Sequence, residues 1–109
     1  MKTIASIAAA LTVAACVASA AETSENWSKL CASFHGKDGA GHTKAGKKLD
    51  VKDLTDAAYQ KTFKDDEAFG SLKNGMKTTD GTDKMKPFAE KLSDDEIKAL
   101  VTYVRTLAK

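Results

Sequence analysis

An all-α domain of about four short helices joined by long loops is what the sequence predicts. Three observations lead there. No stretch alternates apolar and polar residues as a half-buried strand does. Two segments, one around residue 30 and one at the C-terminus, repeat apolar residues at helical spacing. The segments between them are rich in Gly, Lys, Thr and Asp, with few apolar residues.

The first twenty residues, "MKTIASIAAALTVAACVASA", carry a single cation at Lys2, then a run of mostly Ala, Ile, Leu and Val, then Ala18-Ser19-Ala20. This reads as a secretory signal peptide, too short for a convincing membrane span. Cleavage after Ala20 leaves a domain of about 89 residues, 21–109, whose core is small enough that a buried cofactor would help it fold. A second cleavage reading stands beside it: "VAAC" ending at Cys16 resembles a bacterial lipobox, and lipidation there would tether the domain to a membrane. Both routes export the chain.

Within the domain, Trp27, Leu30, Cys31 and Phe34 fall at i, i+3, i+4 and i+7, one face of a helix that Thr23 or Ser24 can cap and Gly36 follows. Residues 36–50, "GKDGAGHTKAGKKLD", read as a loop that must wrap around something. "TDAAYQKTF" and "DDEAFGSLKNG" read as two short helices, the second capped by Asp65 or Asp66 and stopped by Gly75. The "KTTDGTDKMKPF" loop follows. Ser93-Asp94-Asp95-Glu96 then forms a capping box, and Ile97, Leu100, Val101, Val104 and Ala108 repeat at helical spacing to the C-terminus.

Without its leader the chain has 16 Lys and Arg against 15 Asp and Glu, a balance that argues against a nucleic-acid partner. "HTKAGKK" is a small basic patch, either a solvated loop or a surface that steers an acidic partner. With Cys16 removed or acylated, Cys31 is the remaining cysteine, so no internal disulfide can form.

The aromatic Trp27 four residues before Cys31, the Cys31/His35 pair at i and i+4, the Gly-rich loop, the Met-Lys-Pro segment at 85–87 and the final "IKALVTYVRTL" together resemble a small bacterial class I cytochrome c, over residues 24–109. The resemblance implies an all-α, class I cytochrome c-like fold wrapped around one haem c, with N- and C-terminal helices crossing at Trp27 and Tyr103. It implies an electron carrier, not an enzyme: a periplasmic or lipid-anchored monomer serving redox partner proteins of the cell envelope. His35 is then the proximal iron ligand, and a methionine before the last helix is the distal one. Cys31 and His35 lie one helical turn apart, so a thioether to the haem and an imidazole bond to iron are sterically compatible. For the distal ligand Met85 is preferred, because Pro87 stiffens the backbone just past it and Phe88 can cover the haem edge. Met76 reads as a core plug, and His42, in a glycine loop, as solvent-exposed.

The chain departs from the family pattern at Phe34, where a second haem-binding cysteine is the rule. Three explanations compete: attachment through Cys31 alone with Phe34 packed on the haem edge, loss of haem, or a point change, since Cys and Phe codons differ by one base. Two other functional readings remain beside the electron carrier. One is a haem-free copper-binding module using Cys31, His35, His42 and Met85. The other is a haem sensor or peroxidase-like protein with an open distal site.

Overall fold

A computed structural model describes residues 20–109, so residues 1–19, with Cys16 and nearly all of the expected signal peptide, lie outside the described residues. The chain is helical from Ala20, and Thr23, one of the two expected caps, is buried inside the first helix instead. Helix α1 (Ala20–Asn26) runs into a π-helical turn (Trp27–Cys31) and on into α2 (Ala32–His35), which ends at Gly36. In the π turn the Ala32 N–H reaches back five residues to the Trp27 carbonyl. The extra residue shifts the phase of the apolar face. Trp27 and Cys31 are therefore buried at 3% and 6% exposure, while Phe34 at 40% has swung out of the core line.

The expected 36–50 loop contains a further helix, α3 (Lys44–Leu49). Thr43 caps it by accepting from the Gly46 N–H, and Gly46 is buried against the end of α2. Helix α4 (Ala57–Gln60) is shorter than "TDAAYQKTF" suggests and is capped by Asp56. Helix α5 (Asp65–Asn74) begins at Asp65, the first of the two expected caps. Lys64 is its N-cap residue, and the Lys64 N–H donates to Glu67, so Asp65 and Asp66 sit in the first turn, where acidic side chains favour the helix dipole.

The all-helical expectation needs one amendment. After Gly75, β1 (Met76–Lys77) pairs antiparallel with β2 (Asp83–Met85), with Met76 opposite Met85 and an irregularity between Met76 and Lys77. Segments of two and three residues are too short to show alternation, which is why none is visible in the sequence. The turn between them is stitched by Asp80, which accepts from the Thr82 N–H (3.1 Å), the Thr82 hydroxyl (2.8 Å) and the Thr78 hydroxyl. These bonds to the ionised form hold the Asp80 carboxyl down at about 2.

Helix α6 (Asp94–Thr106) opens with the expected capping box: Ser93 Oγ accepts from Glu96 N (3.1 Å) and the Glu96 carboxylate from Ser93 N (2.8 Å). Ile97, Leu100 and Val101 are buried, whereas Ala108 lies beyond the helix and is exposed. The core joins Trp27 and Cys31 to Leu54, Leu92, Ile97 and Leu100. Helices α1 and α6 pack together, and the Trp27 and Tyr103 rings meet at 5.3 Å and 41°, as the resemblance implies for the helix crossing. The far end of α6 is clamped by polar contacts. Gln60, buried, donates to the Leu54 and Val104 carbonyls at 2.7 Å each, and Arg105 bonds Asp65, Gln60 and the Phe63 carbonyl while its guanidinium stacks 4.4 Å over the Phe63 ring.

Candidate cofactor site

Among the described residues lies a large, open-sided and mostly apolar cavity of about 930 Å³. Cys31, Phe34, His35, Met85, Pro87 and Phe88 all line it. Sequence positions more than fifty residues apart are thus brought to one space.

On the helical side, the end of α2 is held by its carbonyls. The Phe34 oxygen accepts from the Thr43 hydroxyl (2.7 Å), the His35 oxygen from Gly41 N (2.7 Å), and the Gly36 oxygen from Trp27 Nε1 (3.2 Å) and Gly39 N (3.1 Å). The last turn of a helix leaves such carbonyls without intrahelical donors, and here the glycine loop supplies them. That loop wraps the end of α2 and so orients His35. A Cβ at Gly46 would lie 2.2 Å from the Phe34 oxygen and 2.8 Å from the Gly41 oxygen, so glycine there is set by close backbone approach.

The His35 ring lies 5.7 Å from the Trp27 ring, and its Nδ1 is buried without a hydrogen-bond partner. Leaving such a nitrogen unsatisfied costs about 1–3 kcal/mol, which marks a group with another task. Burial holds the imidazole below its usual pKa and so favours the neutral form, the one that donates to a metal. Burial also pushes the Cys31 thiol up to about 11, so it stays protonated.

The methionine side is built by the β1–β2 pair. Gly75 has φ 80° and ψ 177°, a conformation open essentially to glycine alone. A Cβ there would fall 2.7 Å from the Met85 oxygen and 2.9 Å from Pro87 N. The end of α5 therefore presses directly on the Met85–Pro87 segment. The Phe88 N–H donates to the Leu72 carbonyl (2.9 Å), fixing the chain beyond Pro87, and Lys77 Nζ meets Asp83 Oδ1 at 2.6 Å across the strands.

Two expectations about this region change. Met76 is no core plug: it is 44% exposed and lines the same cavity, because cross-strand pairing places it beside Met85. His42 is exposed, as expected, and is not among the cavity's lining residues, so the proposed copper set is not gathered. Among the described residues no three His, Cys, Asp or Glu side chains cluster as metal ligands. The sequence reading also missed a cationic rim. Lys29, Lys52, Lys86 and Lys91 are exposed and border the cavity together with the half-buried Lys84 and outnumber the two acids there, Glu67 and Asp83, whereas the lysines of "HTKAGKK" do not line it. Nothing in the spacing of these lysines marks them; only the fold assembles them.

A small helical domain around an apolar cavity, with a Cys/His pair spanning the π turn and α2 and a methionine ahead of the last helix, has the arrangement of a mono-haem c-type cytochrome. The chain belongs to the family described as cytochrome c oxidase, cbb3-type, subunit III, whose model matches residues 18–104. Among solved structures it is similar to the KustC0563 c-type cytochrome, at 32% identity and a TM-score of 0.69 over 80% of this chain and 98% of that one. A tyrosine-to-phenylalanine mutant of that cytochrome matches at 32% identity and a TM-score of 0.66, over 78% and 96% of the two chains. No curated protein matches the chain. The chain is therefore a haem-binding electron-transfer protein that works with redox partners, and its cofactor is covalently bound haem c. Membership of this family displaces the haem-free copper reading.

The residues present fit that group. The cavity has the size and apolar lining of a cofactor site, the orphaned nitrogen belongs to the histidine of the Cys/His pair, and the sulfur and imidazole donors suit iron.

Proposed function

We propose that the protein is an exported mono-haem electron carrier that holds haem c through a single thioether at Cys31, with His35 and Met85 as the iron's axial ligands. The observation that carries this reading is the convergence of Cys31, His35 and Met85 on one apolar cavity, with the His35 imidazole buried and short of a partner. The bound haem supplies a one-electron couple between ferric and ferrous iron.

The chain's own residues do the rest. Cys31 would hold the haem through its sulfur, its S–H adding across one vinyl group so that the hydrogen ends on the neighbouring carbon. His35, favoured in its neutral form by burial and fixed by the pinned carbonyls of α2, supplies the proximal nitrogen. Met85 supplies a thioether, which favours the reduced state, and Pro87 and the anchored Phe88 limit how far its backbone can move. Phe34 lines the cavity one turn from Cys31 and covers the haem edge that a second thioether would otherwise tie. With His35 and Met85 both held to the iron, the site would leave no position for a substrate, which supports electron transfer as its role. The exposed lysines bordering the cavity favour an acidic face on the redox partners of the cell envelope.

The test is to produce the protein with its leader in a host that matures c-type haem. A cytochrome spectrum that survives acid–acetone extraction is expected. Phe34→Cys should move the pyridine haemochrome band toward its two-thioether position. Haem that extracts cleanly from the wild type contradicts the thioether.

A further inference from the structure

Met85 has a twin. Met76 stands directly opposite it across the β1–β2 pair, and side chains of such partners share one face of the sheet with Cβ atoms about 5 Å apart. Both methionines line the 930 Å³ cavity. Met76 is 44% exposed and stands outside the core cluster. The two are carried on one stiff unit: Gly75 abuts the Met85 carbonyl, Lys77 pairs with Asp83, and Asp80 closes the turn. Methionine has three rotatable side-chain bonds and no branching, so its sulfur can sweep several ångströms without moving the backbone.

From this juxtaposition we infer that Met76 is a reserve distal ligand, a second thioether able to take the iron position of Met85. The inference rests on the reading of His35 and Met85 as the axial pair. The exchange breaks one sulfur–iron bond and forms another, and it moves no electron or proton. Its consequence is that loss of Met85 from the iron does not open the distal site to outside ligands. The bulge-like irregularity next to Met76 fits this role, since such features commonly re-aim a side chain near a functional site.

The test compares holoproteins carrying Met76→Leu, Met85→Leu and both changes, leucine keeping the volume of methionine so that each variant folds. Thioether ligation is read from the sulfur-to-iron charge-transfer band of the ferric protein, and distal access from imidazole titration. The wild type and Met76→Leu should both show the band. Met85→Leu should keep it, shifted, and bind imidazole as weakly as the wild type. The double variant should lose the band and bind imidazole readily. If Met85→Leu loses the band as completely as the double variant does, Met76 is no ligand and the inference falls, while the His35/Met85 assignment stands. If Met76→Leu alone abolishes the band, Met76 is the resident ligand and both the inference and the Met85 assignment fall. A wild type without the band would sink the axial assignment itself.

Discussion

Replacing Gly46 by alanine tests whether the glycine loop positions the haem-attachment helix. The added Cβ would stand 2.2 Å from the Phe34 carbonyl oxygen, 2.8 Å from the Gly41 oxygen and 2.8 Å from Thr43 Oγ1. Two of these are backbone atoms, and the Phe34 oxygen and Thr43 Oγ1 are the two partners of a bond that holds the end of α2. To bring the closest contact only to 3.0 Å, α3 must retreat by about 0.8 Å, which stretches the 2.7 Å Thr43–Phe34 bond beyond hydrogen-bonding range. Overpacking of this kind costs about 2 kcal/mol. For a domain of this size that lowers Tm by about 8–16 °C. Gly70 offers an internal control, since it lies inside α5 with nothing within 4 Å of an added Cβ. Gly70→Ala should therefore gain up to about 1 kcal/mol from helix propensity. Urea denaturation of the holoproteins followed by far-UV circular dichroism measures both. A Gly46→Ala variant within about 0.5 kcal/mol of the wild type would refute the close-approach argument.

Other consequences are as direct. Arg105→Ala should cost about 2 kcal/mol in urea denaturation, because it strips donors from the Gln60 and Phe63 carbonyls. Asp65→Asn, which removes an exposed ion-pair charge and one of three acidic charges in the first turn of α5, should cost under about 1 kcal/mol. Asp80 binds its proton less readily folded than unfolded, so its contribution is complete above the usual 3.8 and is lost as pH falls toward 2. Asp80→Ala should accordingly flatten the acid limb of the stability profile between about pH 4 and 2, and leave its shape above pH 5 unchanged.

Much of this fold was legible because its signals are local. Ser93 and Glu96 announce the last helix by chemistry confined to four residues, and Trp27, Cys31 and His35 carry the helix-and-site pattern in nine. The features that escaped depend on contacts distant in sequence. Gly46 reads as part of a glycine-rich loop until the Phe34 carbonyl is seen against it, and then its missing side chain is what lets α3 lie so close to the end of α2. Met76 reads as core because it is apolar and follows a helix; only pairing with β2 turns it toward the cavity. The π turn at Trp27–Cys31 likewise has no mark in the apolar spacing, yet it decides that Cys31 is buried and Phe34 is not. The cationic rim is assembled from lysines at 29, 52, 86 and 91, drawn from different segments.

The central claim is that one bond at Cys31 holds the haem. It is tested most directly by the denatured intact mass of the mature holoprotein beside its Cys31→Ala variant. The wild type should weigh one haem more than its polypeptide, and the variant should show the polypeptide alone. A wild-type chain at its bare polypeptide mass, or a Cys31→Ala chain still carrying haem, would contradict the account.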